Sequence, residues 1–114
     1  MREMQKKPRA PTVSKARLSQ MIEESTVDAH GASEQTVGWF TMIHENLAVP
    51  FETTVLGVSV IVAGVDLDRN EQIVGVCRRG RHRQSLPILD LPMPTPSPEG
   101  AEWIEAYRQW RGEG

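Results

Sequence analysis

A single cysteine, Cys77, stands among the 114 residues, so no disulfide can staple the fold from within. One thiol fits a reducing compartment. Long apolar runs are missing too: nothing approaches the roughly 18 residues that a membrane-spanning helix needs. The charged opening MREMQKKPRAP has no apolar stretch behind it, so a signal peptide is not expected there. The expected location is therefore the cytoplasm, with no membrane partner. Catalytic signatures are equally scarce. There is no phosphate-binding glycine loop, no nucleophile elbow and no His-x-x-x-His or paired-cysteine spacing. His30, His44 and His82 are scattered, and Cys77 has the apolar neighbours of a small buried hydrophobe. An enzyme is not expected. Aromatic residues make up only 5% and hydrophobic ones 39%, which allows one domain with one modest core.

Charge is present but unevenly spread. Residues 1–17 carry six basic side chains and one acid, whereas residues 18–76 carry nine acids and only Arg69. Four arginines then fall within residues 77–89, and residues 90–114 return to an acidic excess. The net charge of −2 hides an acidic middle between two basic stretches.

Periodicity divides the chain. Residues 1–12 read as a disordered basic arm, and 13–112 as a single domain. A helix is expected over about 14–29, capped by Ser14 or Thr12, with Leu18, Met21, Ile22 and Ala29 as its apolar stripe and Gly31 as its stop. A second helix follows from a Ser33 cap, with Val37, Phe40, Met42, Ile43 and Leu47 apolar, ending before Val49-Pro50. Gly38 inside it costs about 1 kcal/mol relative to alanine, which points to close packing against another element.

The pattern then turns β. Glu52 to Val65 reads as a strand with Val58, Val60 and Val62 on one side, and Gly57 and Gly64 as a bend or bulge and an end. Ile73 to Arg79 and Gln84 to Asp90 follow as further strands, joined at Gly80. Short links predict an antiparallel meander or a small SH3-like barrel. PMPTPSP forms an extended Pro-rich strap. A last helix from Ser97 or Pro98 to about Arg111 carries Trp103, Tyr107 and Trp110 as one packing stripe. The fold class is α+β.

Oxygen ligands are concentrated near the first turn. Glu24 and Asp28, four apart on a helix to residue 29, would share a face, and Glu34 follows the turn. Two carboxylates and a third make a half-site for Ca²⁺, which takes six to eight oxygens. Glu23 lies beside them. The alternative is a solvated acidic helix face. Asp66, Asp68 and Asn70 form a second candidate, matching the opening D-x-D-x-N of an EF-hand loop. The match then stops, with Glu71 at the glycine position and Cys77 at the final glutamate position, so these residues also suit a polar hairpin turn. CRRGRHR presents four arginines within six residues that could meet phosphates, but few aromatics accompany them. A nucleic-acid partner is not the favoured reading, and pairing with acids across the fold is the alternative.

The order of TVDAHG, SEQ, GWFTMIHENLAVPFETTVLGV, IVGVCRRGRHRQ, ILDLPMPTPSPEG and EWIEAYRQW resembles the cyanobacterial calcium-binding protein family, from roughly Leu18 to Trp110. The resemblance implies an α+β domain that binds Ca²⁺ through surface carboxylates without an EF-hand, in calcium buffering or signalling. Carried onto this chain, it points to Glu23, Glu24, Asp28 and Glu34, Asp28 above all. With a net charge of −2, one weak site is expected rather than a high-capacity buffer. Glu24, Asp28 and Glu34 are the expected ligands, with Glu23, Asp66 and Asp68 behind them. The alternative function is an interaction module of the same fold with little calcium affinity, holding a protein or nucleic acid through the Arg78–Arg83 hairpin.

Overall fold

The computed structural model describes residues 13–112; the expected basic arm lies outside them. Helices α1 (Lys15–Thr26) and α2 (Ala32–Asn46) precede strands β1 (Phe51–Val55), β2 (Val58–Leu67), β3 (Ile73–Arg79) and β4 (His82–Pro87). One turn of 3-10 helix (Ile88–Asp90), the Pro-rich strap and helix α3 (Ala101–Trp110) complete the chain. The strands form an antiparallel meander in the order β1-β2-β3-β4. It stays open, since β1 and β4 are not paired, so the meander is formed and the barrel is not.

Helix α1 starts where expected: the Ser14 hydroxyl accepts the Arg17 backbone N–H at 3.1 Å. It stops three residues short of the expected end. Val27 leaves helical geometry and Asp28 adopts φ +62°, a left-handed conformation that aspartate tolerates better than most residues. Gly31 is therefore not the stop of α1 but the extended N-cap of α2. Ser33, expected as that cap, sits inside the helix. The buried face of α2 also differs from the expected stripe. Trp39, Ile43 and Leu47 are buried at i, i+4, i+8 spacing, whereas Val37 is 45% exposed. Gly38 is forced: a Cβ there would lie 1.8 Å from the Ser25 carbonyl oxygen, so the α1–α2 crossing admits only glycine.

The expected strand from Glu52 to Val65 is two strands. Leu56 and Gly57, both at positive φ, make a two-residue hairpin turn between the paired Val55 and Val58. Leucine is a poor turn former, which is why the sequence reads through it. Gly64 sits at a β-bulge rather than a strand end. The bulge shifts the pairing by one residue, and such a slip exchanges the two faces of a strand. Val58, Val60 and Val62 point inward before it, Val65 and Leu67 after it, and Asp66 is kept outside. Strand β4 starts at His82, earlier than expected, and Ile88–Asp90 leaves the sheet as a 3-10 turn.

The helices cover the inner face of the sheet. Met21, Trp39, Ile43, Leu47, Val62, Ile73, Cys77, Ile88, Leu91, Trp103, Ile104 and Tyr107 form one buried cluster. The stripe of α3 closes on Trp39, whose ring lies 6.4, 5.7 and 5.5 Å from those of Trp103, Tyr107 and Trp110. The strap is tied to β1 by the buried Thr53 hydroxyl, which donates to the Pro92 carbonyl at 2.6 Å.

Candidate functional site

The early end of α1 decides what the acidic residues can do. Once the helix stops at Thr26, Glu24 and Asp28 no longer share a helical face, because Asp28 has turned into the corner leading to α2. There Asp28 meets residues of the second helix. A depression of about 310 Å³ is lined by Ser25, Val27, Asp28, Ala29, Ser33, Glu34, Val37 and Gly38. Asp28 and Glu34 thus line the same concavity, with no basic side chain among its lining residues. Glu23 and Glu24 are exposed on α1 and do not line it.

Three oxygens at this corner are already used, and a fourth, buried, is orphaned among the described residues. Glu34 Oε1 accepts the His30 backbone N–H at 2.6 Å, satisfying a donor just ahead of α2 as a capping carboxylate does. Its second oxygen remains for another partner. The Ser33 hydroxyl donates to Glu71 Oε2 at 3.0 Å, which brings the β2–β3 loop to the start of α2 across 38 residues of sequence. The Ser25 hydroxyl is buried and has no hydrogen-bond partner among the described residues. Every donor at the corner is a hard oxygen, the type that Ca²⁺ takes. In number the set is small. Among the described residues no three His, Cys, Asp or Glu side chains gather as a metal-holding group.

The second acidic candidate is organised as a turn. Asp68 Oδ1 accepts the backbone N–H groups of Asn70 and Gln72 at 2.8 and 2.9 Å, and the Asp68 N–H donates to the Gln72 carbonyl. That is an aspartate closing its own hairpin. Asp66, on the outer side of β2, accepts the Leu67 N–H at 2.8 Å. The structure does not bring these two carboxylates to the α1–α2 corner; only Glu71 of their loop reaches it.

The arginine segment is a tight hairpin, Arg79 pairing with His82 and Arg78 with Arg83 around a turn with Gly80 at φ +60°. Among the described residues, none of the Arg78, Arg79, Arg81 and Arg83 guanidinium groups has an ion pair, whereas Arg17 pairs with Glu102 and Arg108 with Glu105. The alternative of pairing with acids across the fold is therefore not found among the described residues. Beside them lies a groove of about 270 Å³ on the inner face. Sequence reasoning missed it because it joins the tips of two hairpins. Cys77 is buried beneath, and burial pushes its thiol up from the ordinary value.

Among the described residues no helix is long and apolar enough to cross a membrane. No family model, curated protein or solved structure matches the chain.

Proposed function

We propose that the protein is a small cytoplasmic Ca²⁺-binding domain, active in buffering or signalling and not an enzyme, whose site is the α1–α2 corner. The observation that carries this reading is that Asp28 and Glu34 line one open depression with no basic side chain among the described residues that line it. The resemblance carried by the VDAHG turn supports it. In this reading Asp28 and the free oxygen of Glu34 are the charged ligands. Water and main-chain carbonyls complete the six to eight oxygens that Ca²⁺ takes. Glu23 and Glu24 contribute through their field alone. Two carboxylates in an open site correspond to weak binding, with dissociation constants on the order of 10⁻⁴–10⁻³ M.

Calorimetry on the full chain tests the reading. Ca²⁺ should give a saturable heat that Asp28→Asn abolishes and Glu24→Gln leaves nearly unchanged. An absence of heat above dilution at millimolar Ca²⁺ rejects it.

A second reading has its own observation, that among the described residues no acid pairs with the four hairpin arginines. A domain with little calcium affinity would use them to hold a polyanionic partner. A salt-dependent association lost on replacing Arg79 and Arg81 favours it.

A further inference from the structure

The inner face of the sheet is covered at one end only. Val62, Ile73 and Cys77 lie under the helices, while Val55, Val60 and Leu86 are half-buried and Val58 is 38% exposed. Those four aliphatic residues, with Cys77 and Gln84, floor the groove of about 270 Å³. Arg79 and His82 stand on the same face at its end, and Arg78 and Arg83 flank it from the alternate positions. Among the described residues no acid lines it. At the tip of the neighbouring hairpin, Leu56 is 98% exposed and held at φ +51°. A bulky side chain in that conformation is uncommon, and its exposure means that packing does not explain it. One end of the sheet therefore presents an aliphatic floor and tip beside a concentration of unpaired positive charge.

We infer that this groove docks an acidic peptide segment of a protein partner, with aliphatic side chains seated on Val55, Val58, Val60 and Leu86 and carboxylates paired with the arginines. The inference rests on the second reading above and makes it specific. Charge complementarity selects the occupant. The chain's own residues 1–12 carry four basic side chains against one acid, the wrong sign for this surface. Single-stranded nucleic acid is recognised by stacking on aromatic side chains, and no aromatic residue lines the groove except the His82 ring. A bare inorganic anion would leave the aliphatic floor unused. Carboxylates on an extended segment can meet the guanidinium forks while alternate side chains turn down into the groove.

Fluorescence anisotropy on the full chain tests this with three probes. They are a short labelled peptide alternating glutamate and leucine, the same peptide with serine for leucine, and a labelled oligothymidylate. The glutamate–leucine peptide should bind at least about tenfold more tightly than its serine counterpart, as expected where buried apolar anchors carry the affinity. Val58→Ser and Arg79→Gln should each weaken it about tenfold, with unchanged circular dichroism and unfolding midpoint close to that of the wild type. Equal binding of all three probes overturns the groove and leaves the hairpin a general polyanion surface. Binding of none rejects both readings. Binding that appears only after removal of residues 1–12 assigns the groove to the chain's own arm. Concentration-dependent dimerisation abolished by Val58→Ser assigns it to a second copy. Either result overturns the proposal.

Discussion

Arg78 and Arg83 stand directly opposite each other across β3 and β4, a like-charge cross-strand pair. The same transverse row runs through Ile61 to Glu52, so the one acid in it is two strands away from Arg78. That carboxylate already accepts the Ser59 hydroxyl. Facing like charges destabilise a strand pair, and nothing within the described fold relieves this one.

Replacing Arg83 with threonine should therefore stabilise the protein. The gain expected is a few tenths of a kcal/mol, because both side chains are exposed and water screens them. Urea unfolding at low salt and again near 1 M salt measures it. The gain should shrink as the Debye length falls to about 3 Å. A loss of stability at low salt would mean that Arg83 has a favourable partner within the fold.

Gly38→Ala should cost about 1–3 kcal/mol or more, because the added methyl meets the rigid backbone carbonyl of Ser25 rather than a movable side chain. Gly31→Ser is the matched control, since nothing lies within 4 Å of a Cβ there and serine is a good N-cap. Thermal unfolding should separate the two variants by many degrees. Equal midpoints would show that α1 and α2 can slide apart at little cost.

Burial pushes the Cys77 thiol above its ordinary value of 9.0. Below that pH the thiol is protonated in both the folded and the unfolded chain, and its full contribution is present. As pH rises past about 9 the unfolded chain deprotonates first, so stability falls until the folded thiol titrates. Denaturant unfolding from pH 7 to 10 should show the decline, and Cys77→Ala should lessen it while lowering stability at every pH. Alkylation of the native protein by iodoacetamide should be slow. Rapid native-state alkylation would contradict the burial.

Much of this architecture was legible in the sequence because it depends on local period. The strand Ile73–Arg79 and the packing stripe Trp103, Tyr107 and Trp110 come directly from spacing. The errors fall where one residue overrides a pattern. Leu56 turns a hairpin that leucine does not advertise, and Asp28 ends α1 by adopting a left-handed backbone. The α2 stripe is ambiguous in the sequence because Val37 and Trp39 are both apolar and only tertiary packing chooses between them. Asp28 and Glu34 are legible as a neighbouring pair, but Glu24 joins them only if the helix continues past Thr26, which it does not. The link between Ser33 and Glu71 and the groove between two hairpin tips depend on distant segments, which local periodicity does not encode.

The two roles of Asp28, bending the chain and holding a cation, can be separated by Asp28→Gly. Glycine occupies φ +62° without a Cβ penalty, so it keeps the corner while removing the carboxylate. Without calcium, its stability should stay within about 1 kcal/mol of the wild type, as relief of backbone strain offsets the added freedom of the unfolded chain. For the wild type, 10 mM Ca²⁺ acting on a site with a dissociation constant near 1 mM should add about 1.4 kcal/mol. Asp28→Gly should add almost none, and Asp28→Asn should likewise lose the increment. Matched ionic strength is essential, because a divalent salt also screens the surface charges. If the wild type and Asp28→Gly gain equally from calcium, the increment comes from screening or from another site, and Asp28 is only a bend.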